Sequence, residues 1–73
     1  MPKGGMDDHI KRLNRLYRDP HGHIVRVIGW DARAGRVIFL REEQGYPYEC
    51  VQPLWQFRTK FTFVRDDGNG EGQ

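Results

Sequence analysis

Apolar residues fall in short runs divided by polar turn signals: Leu16-Tyr17, Ile24-Val25-x-Val27-Ile28-x-Trp30, Val37-Ile38-Phe39-Leu40 and Tyr46-x-Tyr48-x-Cys50-Val51. Runs of this length, rich in β-branched and aromatic side chains, suit a pleated strand and disfavour a helix. The breaks between them carry turn chemistry. In Asp19-Pro20-His21-Gly22, proline presets φ at the second turn position and glycine tolerates the left-handed region. Asp31-Ala32-Arg33-Ala34-Gly35 reads as a hairpin loop ending on glycine, and residues 42–45 read as another polar turn. Pro47 marks the fourth strand as an edge or a strand start. Pro53 suits the first position of a helical turn, and Leu54, Phe57 and Phe61 recur at spacings of three and four. A helical turn over residues 53–57 and a last strand over residues 59–65 follow.

Ahead of the first run, residues 7–15 carry a different pattern. Asp7 or Asp8 would cap a helix N-terminus, and Ile10, Leu13 and Leu16 or Tyr17 fall at helical spacing. The pattern predicts a short N-terminal helix, although a helix this short has little stability alone.

Together these elements predict a mainly β domain, a small SH3-like barrel of about five antiparallel strands with a short helical turn before the last. A three-stranded sheet with a packed helix is the competing arrangement. The expected core is Val25, Val27, Val37, Phe39, Tyr48, Cys50, Leu54, Phe57, Phe61 and Val64. The second strand leaves one ambiguity, because Ile24, Ile28 and Trp30 make its other face apolar too. Residues 1–8 and 66–73 read as flexible tails around a single domain at 9–65; the last seven residues contain three glycines and nothing apolar to bury.

With 73 residues the chain has room for one domain and a small core. A single cysteine, Cys50, excludes an internal disulfide and points to a reducing, cytoplasmic setting. The longest unbroken apolar stretch has four residues, far short of the roughly 20 of a membrane helix. Net charge is +2, but eleven Lys/Arg against five Asp/Glu between His9 and Arg65 make the domain basic. That balance favours anionic partners such as nucleic acid.

Scattered positions carry a family resemblance. Tyr17-Arg18-Asp19, Gly22, Val25-x-Val27, Arg36-Val37-Ile38, Tyr46-x-Tyr48-Glu49-Cys50, Gln52-Pro53 and Phe57-x-x-x-Phe61-x-x-Val64 resemble an uncharacterised family of short proteins encoded in enterobacterial prophages. The resemblance spans residues 17–64. It implies a phage-derived protein acting inside the bacterial cell, and it brings no activity and no catalytic residues with it.

The candidate chemistry is sparse. His21-x-His23, His9 and Cys50 lack the paired close spacing of a structural zinc site, so no metal or other cofactor is expected. Cys50 has no base placed beside it by spacing, and Glu42-Glu43 and Asp66-Asp67 read as solvated turn and tail charges, so no enzyme and no small-molecule substrate are expected. Binding is the remaining class. Trp30, Tyr46 and Trp55 are candidates for a protein interface with a host or phage protein or with a second copy of the chain. Arg15, Arg18, Arg26, Arg33, Arg36, Arg41, Arg58 and Lys60 are candidates for phosphate contacts in the alternative, a nucleic-acid-binding barrel.

Overall fold

A computed structural model of the chain describes residues 9–68. It contains β1 (Lys11–Arg18), β2 (Ile24–Asp31), β3 (Arg36–Arg41), a single 3-10 turn (Glu42–Gln44), β4 (Tyr46–Pro53), α1 (Leu54–Lys60) and β5 (Thr62–Asp66). All five strands join one antiparallel sheet in the order β4-β3-β2-β1-β5. The sheet is therefore a meander from β1 to β4, with β5 returning to the far side of β1. Because β4 and β5 are the opposite edges, α1 has to carry the chain from one edge to the other. Five antiparallel strands with a helix before the last are as the sequence pattern predicts; the three-stranded alternative is not.

The expected N-terminal helix is absent. Residues 11–18 are β1, which bonds to β2 on one side and to β5 on the other. A helix of two turns would satisfy backbone groups only along its own length and is marginal in water. A strand in this position gains two ladders and places Leu13 and Tyr17 against the core.

Residues 59–65 likewise differ from expectation, since α1 runs to Lys60 and β5 begins at Thr62. The extra turn is held by the Thr59 hydroxyl donating to the Trp55 carbonyl at 2.8 Å and by the Phe61 amide donating to the Phe57 carbonyl at 2.9 Å. It also stacks Phe57 on Phe61, with ring centroids 4.2 Å apart. At its other end β5 includes Asp66, and the Asp67 amide donates to the Asn14 carbonyl at 2.8 Å. These two residues, read from the sequence as tail, are part of the fold; residues 1–8 and 69–73 lie outside the described residues.

The ambiguity of β2 is resolved by a bulge. Val27 pairs with Phe39, but Gly29 pairs with the adjacent Ile38, so Ile28 is an extra residue on β2. Beyond it the alternation inverts, and Trp30, paired with Val37, joins Val25 and Val27 on the core face. The core consists of Val25, Val27, Val37, Phe39, Phe57 and Phe61, with Leu13, Tyr17, Trp30, Cys50 and Leu54 packed at its margin. Phe57, fully buried, touches Tyr17, Trp30, Phe39 and Phe61 with centroids 4.2 to 6.3 Å apart.

Two expected core residues are not in it. Tyr48 lies on edge strand β4 and is 66 % exposed. Val64 is the extra residue of a bulge in β5, between the Leu16–Arg65 and Tyr17–Phe63 pairs, and the bulge turns it away from the core. Conversely, Ile38 is buried on the opposite face of the sheet, paired with Gly29 and Val51, and Ile10 is buried just before β1.

Carboxylates fasten the loops. Asp19 is buried in the first turn, where its Oδ1 accepts the His21 and His23 amides at 2.9 and 2.8 Å and its Oδ2 accepts Arg41 at 2.9 Å. Burial alone would raise its pKa, but the hydrogen bond from Arg41 and the two amides outweigh it, and the pKa is lowered. Asp31, fully buried, accepts the Ala34 amide at 2.9 Å and the Arg36 guanidinium at 3.1 Å, with His9 Nε2 3.4 Å away. The Ala34 amide is the main reason its pKa also falls below the usual value. Asp67 is lowered chiefly by the hydrogen bond from Arg26, which spans 2.8 Å.

Two outcomes follow from this architecture. Carboxylates with a folded pKa below the unfolded value of about 3.9 contribute stability that is complete above that pH and is lost as pH falls through the folded values. Thermal melts should therefore give a Tm that holds from neutral pH to about pH 5 and drops steeply below about pH 4, and Asp19→Asn should lower Tm at pH 7 while weakening that acid dependence. Phe57→Ala should cost about 3–5 kcal/mol, enough to leave a domain this small largely unfolded by circular dichroism at 25 °C.

Candidate functional site

The surface divides into an aromatic stretch and a cationic one. The aromatic stretch follows β4 into α1. Tyr46 and Tyr48 stand edge to face with centroids 5.5 Å apart. Tyr46 is 48 % exposed, Val51 53 % and Trp55, in the first turn of α1, 70 %. The local sequence explains the exposure. β4 has a neighbour on one side only, so residues beyond the reach of α1 have nothing to pack against. Arg41, Gln44, Tyr46 and Cys50 line an open depression of about 480 Å³ beside the tyrosine pair. Cys50 is half-buried, and its Sγ lies 3.8 Å from the Tyr48 carbonyl.

Of the three residues expected at a protein interface, Tyr46 and Trp55 sit on this stretch and Trp30 does not. Trp30 is half-buried, with its ring edge-on to Phe57 at 6.3 Å. Val51 belongs to the surface and was not among those expected, and Tyr48, expected in the core, belongs to it as well. Pro47 was the available signal: an edge strand exposes one of its faces, and Tyr48 follows that proline directly. A further exposed aromatic, Phe63, lies on the opposite edge, β5, against Tyr17.

Four of the eight expected phosphate-binding residues are engaged within the fold. Arg26 contacts Glu42 at 2.8 Å, Asp67 at 2.8 Å and the Asn14 side chain at 2.5 Å, and the two carboxylates raise its pKa, the bond to Asp67 most. Arg36 is held by Asp31 and Arg41 by Asp19, and Arg41 also lies over the Phe39 ring at 5.3 Å. Arg15 lies 3.5 Å from Asp66. Arg18, Arg33, Arg58 and Lys60 have no acidic partner among the described residues, and neither do Lys11 and Arg12, which were not singled out from the sequence. Among the described acids, Glu49 alone lacks a cationic neighbour; Glu43 has His23 at 3.7 Å. The eight candidates are thus not one surface. Half of them secure turns and strand ends, and the uncompensated charge rests on β1, the β2–β3 loop and α1.

No group of three or more metal-ligating side chains occurs among the described residues, and none of their helices is long and apolar enough to cross a membrane. Comparison with curated proteins and with solved structures gives no match. Residues 13–65, from the middle of β1 to the end of the sheet in β5, match the family model described as Domain of unknown function (DUF4222), and the chain belongs to that family.

Proposed function

We propose that the chain is a non-catalytic, prophage-type accessory protein that works in the bacterial cytoplasm as a small protein-interaction module. The observation that carries this reading is the run of exposed apolar side chains along one edge of the fold, Tyr46, Tyr48, Val51 and Trp55. Exposed apolar side chains, among them the paired Tyr46 and Tyr48, offer large apolar area at small entropic cost, the composition of binding hot spots. Pro47 and Pro53 bracket β4 and remove two amides from it, so pairing with a foreign strand is confined to the few residues between them. Docking through side chains therefore contributes more than strand addition. The partner is a host or phage protein, or a second copy of the chain, and the resemblance to short prophage-encoded proteins supports that setting.

Substitutions on this surface separate binding from folding. Tyr48→Ala with Trp55→Ala removes exposed side chains and should leave stability within about 0.5 kcal/mol per site. The same pair should abolish either the dimer seen by sedimentation velocity or the capture of a defined partner by immobilised protein. Retention of both self-association and capture in the double variant overturns this surface as the interface. Trp30→Ala, by contrast, should lower Tm clearly, because that ring packs on Phe57.

A further inference from the structure

The cations without acidic partners are not spread evenly around the sheet. Lys11 is the β1 partner of Trp30, so the two side chains share one face. Arg58, one turn into α1, lies over the Trp30 ring with its guanidinium carbon 6.0 Å from the centroid. The hairpin loop bearing Arg33 meets the start of α1, where the Leu54 amide donates to the Gly35 carbonyl at 2.8 Å. Lys11 and Arg58 thus flank the half-exposed Trp30, and the loop bearing Arg33 lies at the same end of the molecule. Among the described residues the nearby acid, Asp31, is fully buried and already bound to Arg36 and the Ala34 amide. Arg12 and Arg18 are also uncompensated, but their register partners, Gly29 and Ile24, place them on the opposite face of the sheet.

We propose that this end of the fold is a binding surface, distinct from the Tyr46–Tyr48 pair at the start of β4 and bordering Trp55, and that its ligand is single-stranded nucleic acid. Three cations supply phosphate contacts. The Arg58 guanidinium and the Trp30 indole lie together, and unpaired bases stack on both aromatic rings and arginine planes. Paired bases present no free face to such groups, which is why the strand has to be single. The buried pairs Asp19–Arg41 and Asp31–Arg36 matter here as well, since they remove acidic charge that would repel phosphate.

The test is a fluorescence-anisotropy titration with a labelled twenty-nucleotide oligothymidine at several salt concentrations. Three phosphate contacts on a single strand give a slope of log affinity against log salt of about −2. Lys11→Gln with Arg58→Gln should bring the slope above about −1 and weaken binding at low salt on the order of tenfold or more. Arg12→Gln with Arg18→Gln changes net charge equally and should leave both quantities unchanged. Equal losses in the two double variants overturn the site, as does the absence of binding at low salt. Equal affinity for the matching duplex overturns the single-stranded assignment. Displacement of the oligonucleotide by polyglutamate of the same charge overturns nucleic acid in favour of an acidic protein segment. Circular dichroism of both variants should match the parent.

Discussion

Everything in this fold depends on one buried ring. An open five-stranded sheet has an apolar face to cover, and the chain supplies a single helix of seven residues to do it. That helix buries one residue completely, Phe57, and its ring reaches aromatic partners on β1, β2, β3 and its own last turn. Propensity contributes little to a helix so short; its stability comes from the face it packs. The position of α1 then determines which parts of the sheet are covered. Cys50 and Leu54 lie at the margin of the core, while Tyr48 and Trp55 are left outside.

Ionic pairing is the second constraint, and it works on loops rather than on the core. Asp19 joins the first turn to the end of β3 through Arg41, and Asp31 closes its own hairpin on Arg36. Each carboxylate also accepts backbone amides, so the turn geometry and the ion pair support one another. Removing one member would leave the other buried or half-buried without a partner, which costs more than the pair contributes net. The arrangement has a consequence for function. Positive charge counted from composition overstates what a ligand meets, because Arg26, Arg36 and Arg41 face acids of the same chain.

The strands were legible because their runs and breaks are local. Val25, Val27, Val37 and Phe39 alternate across hairpins whose turns carry proline or glycine at the required places, and each of these four is buried. What was not legible depended on registers between distant segments. Residues 11–18 have helical spacing, and only the pairing of β1 with both β2 and β5 makes them a strand. The bulge at Val64 has no mark in the residue pattern and the one at Ile28 only the adjacent Gly29, yet the first takes Val64 from the core face and the second brings Trp30 to it. The candidate site was affected in the same way. Tyr46 and Trp55 were found from residue type, whereas Tyr48 was assigned inward because strand alternation does not show where a covering helix ends.

The two surfaces follow from that same geometry. Edge strands are hazards unless blocked, and this chain blocks β4 with prolines while leaving aromatic side chains in place. An edge that only had to stay soluble would carry charge where Tyr48, Val51 and Trp55 stand; β4 carries one charged residue, Glu49. Aromatic exposure retained beside a backbone that prolines restrict at both ends fits an edge shaped for side-chain docking better than one merely left uncovered. Around Trp30 the logic is reversed. There the apolar ring is half-covered, the acids are sequestered, and unpaired cations remain, so attraction across water replaces apolar contact as the means of recognition. A domain with one small core has little interior to vary, and its capacity to bind different chemistries lies in what its edges and turns leave uncompensated.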